Sequence, residues 1–180
     1  MADDPVVDME QMVSLDYETA PPPETAVTFL RKLRGGTITG HKCPECGRVY
    51  VPPRSFCPLC VVPTSDTDEV EVQDTGTVTT FSVITPIQYQ GQQEKEDYVQ
   101  ANILLDGSDT TAMMQRLEGI PVEEARTGLR VKAVWLDPDE RDGDGDAGWG
   151  RGAGLGAAIS GFEPTGEPDV SPETFSDHVL

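Results

Sequence analysis

The sequence predicts a mainly β protein in two parts: an N-terminal helix joined to a small metal-pinned ribbon, then a five- to six-stranded barrel. Three observations carry that expectation. The only cysteines of the 180-residue chain stand as two C-x-x-C pairs, Cys43 with Cys46 and Cys57 with Cys60. A short run of apolar residues at helical spacing precedes them. From Asp68 onward the pattern changes to β-branched runs opened or broken by glycine. A chain of this length has room for one ordinary domain and a small module, not two large domains.

Residues 1–23 read as a disordered acidic tail, closed by the stiff run Pro21-Pro22-Pro23. A helix is expected from Glu24 to Arg34, because Val27, Leu30 and Leu33 recur at three-residue spacing beside Phe29. Gly35-Gly36 stands where a left-handed cap is needed, and cations cluster in the last turn, where the helix dipole favours them. Residues 36–42 suit a short strand entering the first cysteine pair, and Tyr50-Val51-Pro52-Pro53-Arg54 a rigid, extended passage to the second.

Residues 24–65 are therefore expected to form a helix and a rubredoxin-like zinc ribbon. Two C-x-x-C pairs supply four soft thiolates, the ligand set of a closed tetrahedral zinc site: Cys43, Cys46, Cys57 and Cys60. Gly47 follows the second ligand, where the chain must turn so that amide groups point at sulfur. A redox dithiol or two disulfides are the competing uses of the same cysteines. A thioredoxin-type motif, however, needs one C-x-x-C on a βαβ frame rather than two facing copies. So small a ribbon lacks an adequate core, and metal binding would supply folding energy on the order of 10 kcal/mol.

Residues 66–163 read as the barrel. Residues 69–73 alternate, and residues 76–87 form a long β-branched run opened by glycine. Strands at 98–105, 110–117, 129–136 and near 157–162 follow, with Asp106-Gly107 as a tight turn and residues 121–126 as a brief helical interruption. One long first strand and a helix-like insertion between the third and fourth suggest a Greek-key barrel of OB type, although period-two patterning also suits other small barrels. The polar loop 88–97 and the glycine-rich loop 137–156 stand out, and residues 164–180 read as a C-terminal acidic tail.

Charge excludes some functions. The chain carries 32 acidic and 13 basic residues, a formal −19 that repels nucleic-acid phosphates. Aromatic residues for base stacking number only 11. A stand-alone nucleic-acid module is thus the weaker alternative. The window from Arg31 to Arg54 holds six basic residues against one acid, Glu45, and is the positive pole of a negative molecule. It is either a solvated helix end or a docking point for an anionic ligand or partner face. No apolar stretch is long enough to span a membrane, the N-terminus lacks an export signal, and thiols in metal spacing fit a reducing cytoplasm.

Other motifs fail. Asp142-Gly143-Asp144-Gly145-Asp146 opens like a calcium loop but has Ala147 and Ala153 at the sixth and twelfth positions, so a solvated acidic loop is expected. The glycine run from Gly152 to Ala157 lacks the strand–turn–helix context of a dinucleotide site. Of the two histidines, His178 lies in the expected tail and His41 reads as a surface histidine before the first cysteine, with a ligand or ligand-supporting role as the alternative. No catalytic residue is assigned, because no thiol is spare and no serine triad can be proposed. An independent hydrolase is accordingly disfavoured.

The ordered landmarks resemble one family. Leu33-Arg34-Gly35-Gly36, Cys43-Pro44-Glu45-Cys46-Gly47-Arg48, Pro52-Pro53-Arg54 and Cys57-Pro58-Leu59-Cys60 come first. Gly76-Thr77-Val78, Leu104-Leu105-Asp106-Gly107 and Gly128-Leu129-Arg130-Val131 follow. Together they are similar to the acyl-CoA-associated zinc-ribbon/OB-fold family (domain of unknown function number thirty-five) over roughly residues 24–163. The resemblance implies a small, non-catalytic partner, in a hetero-oligomer, of a thiolase-superfamily enzyme or lipid-transfer-protein aldolase. Such a complex handles CoA thioesters, by carbon–carbon bond formation or by retro-aldol cleavage of a steroid or lipid side chain. The subunit would carry Zn2+, support the larger partner and help shape its CoA channel. CoA phosphates need a locally positive surface, so Lys42, Arg48 and Arg54 are the residues expected to face CoA or an acidic partner. The long acidic tails and the loop 137–156 depart from the common pattern.

Overall fold

The computed structural model describes residues 24–86, 95–141 and 155–178. The acidic N-terminal segment, most of the polar loop 88–97 and the calcium-like run 142–146 lie outside them. One α-helix, α1 (Glu24–Arg34), leads into strands β1 (Ile38–Lys42) and β2 (Val49–Tyr50). Then come β3 (Glu69–Val72), β4 (Thr75–Ile84), β5 (Tyr98–Leu105), β6 (Thr111–Leu117), β7 (Arg130–Trp135) and β8 (Ile159–Pro164).

The helix forms where its pattern places it. Phe29, Leu30 and Leu33 are buried, while Arg31, Lys32 and Arg34 crowd its C-terminal turn. Burial of each such side chain stabilises by roughly 1.5–3 kcal/mol. Termination is a Schellman motif: Thr37 N–H donates to Lys32 O at 3.0 Å and Gly36 N–H to Leu33 O at 2.9 Å. Gly36 sits at φ 87°, which a side chain would resist.

β1 is the centre of a three-stranded antiparallel sheet ordered β2-β1-β3. The segment 69–73 reads with the barrel strands in sequence, yet Glu69–Val72 pairs with β1, in the register Ile38↔Val72 to His41↔Glu69. Lys32 Nζ also pairs with the Glu69 carboxylate, tying helix to sheet. The closed barrel therefore has five strands, in the order β4-β5-β6-β8-β7. β7 returns to β4 through Thr75↔Lys132, Gly76↔Val131 and Thr77↔Arg130, and β6 meets β8 in parallel at Leu117↔Phe162. This is the OB arrangement, with a single 3-10 turn at Val122–Glu124 as the helical insertion.

Gly76 is required by close approach: a Cβ there would meet Leu104 O at 2.5 Å. One core runs through both parts. Phe29, Leu33, Ile38, Val51 and Val72 of the helix–ribbon half cluster with Val78, Ile103, Val131 and Phe162 of the barrel.

Residues 164–178, read as a tail, lie against the barrel. Val170 N–H donates to Gly128 O at 2.8 Å, and Phe175 is buried. Arg126 grips Asp169 with two hydrogen bonds of 2.6 and 2.9 Å. Beside it, Arg130 makes bonds of 2.8 and 2.6 Å to Asp106, which also accepts from Thr75 Oγ1 at 2.5 Å. The guanidinium of Arg130 holds the Asp106 carboxyl below its usual range, against the opposing effect of burial.

A carboxyl with a depressed folded-state pKa stabilises above its unfolded pKa of about 4 and loses that contribution as pH falls through the lower folded value. Asp106→Asn is therefore expected to lower stability by about 1–2 kcal/mol at pH 7. Urea denaturation of both chains should show that gap narrowing below about pH 4.

Candidate metal centre and its cationic surround

Two knuckles of the same build face each other. In the first, Cys43 N–H donates to Arg48 O at 2.8 Å and Gly47 N–H to Cys43 O at 2.9 Å. In the second, Cys57 N–H donates to Val62 O at 2.8 Å and Val61 N–H to Cys57 O at 2.9 Å. The turn residue is left-handed in both, Gly47 at φ 74° and Val61 at φ 56°. Glycine adopts that conformation freely, whereas a β-branched side chain is strained in it.

The sulfurs of Cys43, Cys46, Cys57 and Cys60 lie within 4.8 Å of one another. Cys46 Sγ and Cys57 Sγ are 3.8 Å apart. A tetrahedron of sulfurs about 2.3 Å from a central zinc has edges of about 3.8 Å, so the donor set fits that ion. Amides supply the outer support: Cys46 N–H points at Cys43 Sγ (3.5 Å) and Cys60 N–H at Cys57 Sγ (3.4 Å).

Tyr50, buried at the end of β2, places its hydroxyl 3.2 Å from Cys57 Sγ. Burial, then this contact, pushes the Tyr50 hydroxyl pKa up, so the phenol stays protonated and can donate. Burial pushes the Cys57 thiol up, but hydrogen bonds from Tyr50 and from the amides of Cys60 and Leu59 outweigh it and bring it down to about 6. Cys60 moves the other way, up to about 12, through its contact with Cys46 and through burial. Four thiolates so close repel one another, and a divalent cation is what allows them to ionise together.

The three basic residues expected to face an anion lie around this centre. Lys42 ends β1 and is exposed, and Arg48 follows the first knuckle. Arg54 lays its guanidinium 5.5 Å from the Tyr50 ring centroid, linking it through that ring to Cys57. Lys42 also lines an open groove of about 510 Å³ between the first knuckle and residues 67–70, together with Glu45, Asp68 and Glu69. That mixture of signs gives the groove itself little pull on an anion.

His41 departs from its sequence reading as a surface residue. It is 1% exposed, with Nδ1 3.0 Å from Arg54 O and Nε2 3.9 Å from Asp66 Oδ1. The ring braces the backbone that carries Arg54 and is not one of the four converging ligands. His178 lies beside Asp109, with Nδ1 3.5 Å from Oδ1.

Two supporting features are absent from sequence reasoning. Tyr50 is one. The other is a latch from ribbon to barrel: Val49 N–H donates to Asp109 Oδ2 at 2.8 Å, and Asp109 N–H returns to Val49 O at 2.9 Å. Val51 N–H donates to Thr110 Oγ1 at 3.0 Å beside it. An aromatic residue seven before a cysteine is the only signal that could have pointed to Tyr50; nothing local announces the latch.

Comparison with known proteins agrees with this geometry. A family described as the ChsH2 rubredoxin-like zinc ribbon domain matches residues 32–62, and the ChsH2 C-terminal OB-fold domain matches residues 69–136. A DUF35 domain-containing scaffold protein of Methanocaldococcus jannaschii is 30% identical over 107 residues, 59% of this chain and 72% of that protein. A DUF35-family protein of unknown function from Sulfolobus solfataricus, known from a crystal structure, is similar in structure with a TM-score of 0.51 and 25% identity. The match covers 62% of this chain and 78% of that one. The Ltp2-ChsH2(DUF35) aldolase shares the fold at a TM-score of 0.54 and 19% identity, over 81% of this chain and 98% of that one. No helix among the described residues is long and apolar enough to cross a membrane.

Tyr50→Phe keeps the ring but removes the donor to Cys57. Outer-shell losses of this kind cost about 10- to 100-fold in metal affinity. Competition with a chromophoric zinc chelator should show a drop of that size, with the metal content at saturation unchanged.

Proposed function

Because this chain belongs to the DUF35 family, we propose that it is a non-catalytic subunit partnering a thiolase-superfamily enzyme that acts on acyl-CoA thioesters. The observation that carries the reading is the metal-pinned ribbon with cations around it on an otherwise strongly acidic molecule. Zinc held by Cys43, Cys46, Cys57 and Cys60 keeps the ribbon rigid, and Lys42, Arg48 and Arg54 face CoA phosphates or an acidic surface of the partner.

The thiols and His41 have structural places. The four thiols converge on one metal position, His41 is packed against Arg54 O, and His178 stands at Asp109. That distribution favours a helper whose partner supplies the catalytic residues. The likeness to an aldolase assembly supports retro-aldol cleavage of a steroid or lipid side chain as the partner's reaction, with Claisen-type condensation as the other thiolase chemistry. In this reading the subunit stabilises the enzyme, contributes to its CoA channel and works in the reducing cytoplasm, where its thiols remain available to metal.

Affinity purification from native extract tests the class. A thiolase-like polypeptide recovered in fixed ratio supports the reading, and a chain recovered alone and active by itself contradicts it. Within such a complex, Arg54→Glu is expected to weaken assembly, or raise the apparent KM for the CoA ester, by about tenfold. Unchanged assembly and kinetics would remove Arg54 from the proposed role.

A further inference from the structure

β4 runs on past the neighbour that closes the barrel. Among the described residues, β7 pairs with it through Thr75↔Lys132, Gly76↔Val131 and Thr77↔Arg130. One further exchange follows: Val78 N–H donates to Leu129 O at 2.9 Å and Gly128 N–H to Val78 O at 2.8 Å. After the bulge between Val78 and Thr80, β4 keeps its ladder to β5 from Thr80↔Asn102 to Ile84↔Tyr98. On the other side no described strand pairs with Thr80–Ile84. Such an edge turns the N–H and C=O of every second residue outward.

The side chains match this opening. Phe81 and Val83 lie opposite Ala101 and Val99, which are buried, so all four belong to the face that lines the barrel. Yet Phe81 and Val83 are 37% and 44% exposed, and the pairing with β7 stops before it reaches them. Proteins guard sheet edges with charge, proline, bulges or cover. This chain does so elsewhere. β3 carries Glu69 and Glu71, β2 is latched to Asp109 and Thr110, and Met114 interrupts β6 with its left-handed φ of 56°. From Thr80 to Ile84 there is no charged residue and no proline.

A strand is the occupant that fits, because it answers the outward backbone groups and the alternate apolar side chains together. Charge decides its composition. No ionic group on the edge opposes approach, and the field of a −19 molecule attracts cations. Glu96 and Asp97, exposed just before the Tyr98 that faces Ile84, outnumber the one cation beside them, Lys95. A second copy would bring the same −19 and be repelled.

We propose that the Thr80–Ile84 edge of β4 docks an extended segment of another protein. The segment adds as a strand, sets apolar side chains against Phe81 and Val83, and carries Lys or Arg at the alternating positions. The site stands whether or not the chain partners a thiolase-like enzyme.

Hydrogen exchange on the full, zinc-loaded chain tests it. The probe is a capped heptapeptide of alternating valine and lysine, and the control holds the same residues in block order. The outward amides among Thr80–Ile84 should slow by about tenfold or more with the alternating peptide, and not with the control. Val83→Lys puts a cation where the apolar side chains would meet and should weaken binding of the alternating peptide by about tenfold. The peptide comparison on the unaltered chain stands apart from how that variant folds. Equal slowing by both peptides reduces the effect to charge, and amides already slow in the dilute free chain mean that the chain covers its own edge. Either result overturns the proposal, as do slowing that grows with protein concentration, unchanged binding by Val83→Lys, or no slowing at all.

Discussion

The convergence of four sulfurs within 4.8 Å is the constraint from which the rest of the ribbon follows. The ribbon's own buried cluster consists of Cys43, Tyr50 and Cys57, with Cys60 and Val62 against it, and contains almost no aliphatic mass. A module of that composition has little hydrophobic driving force. Coordination takes the place of a core: one ion converts mutual repulsion among thiolates into four bonds. Tyr50 matters because it lies between these levels, buried in the cluster, bonded to Cys57 and covered by Arg54.

From the metal, order passes into the barrel by two routes. The latch from Val49 and Val51 to Asp109 and Thr110 is polar and local to the β5–β6 turn. The second route is the shared core, one buried cluster that includes the α1 side chains and Ile38 together with Val78, Ile103 and Phe162. Because these are contacts of a single packed interior, the knuckles project from the barrel in one fixed orientation.

What the sequence made legible was what is local. The helix bounds, the glycine cap, the knuckles and the Asp106-Gly107 turn are set by residues a few positions apart, and each appears where spacing places it. Non-local features were hidden. Glu69–Val72 alternates like any strand, and only its register against β1 takes it out of the barrel. His41 looks like a polar surface residue, yet a sheet position between Gly40 and Lys42 buries it against Arg54 O. The charge of residues 164–178 suggested an acidic tail, but Arg126 pairs with Asp169 and Arg130 with Glu167 at the barrel, and Phe175 is buried. Pattern reports which face a residue prefers, and pairing decides which partner it meets.

Zinc K-edge absorption on the protein purified without added metal bears most directly on the central claim. The account predicts one zinc per chain with four sulfur neighbours at about 2.3 Å and no nitrogen or oxygen in the first shell. A histidine nitrogen among the ligands, or a folded chain whose four thiols remain free and metal-less, would contradict it.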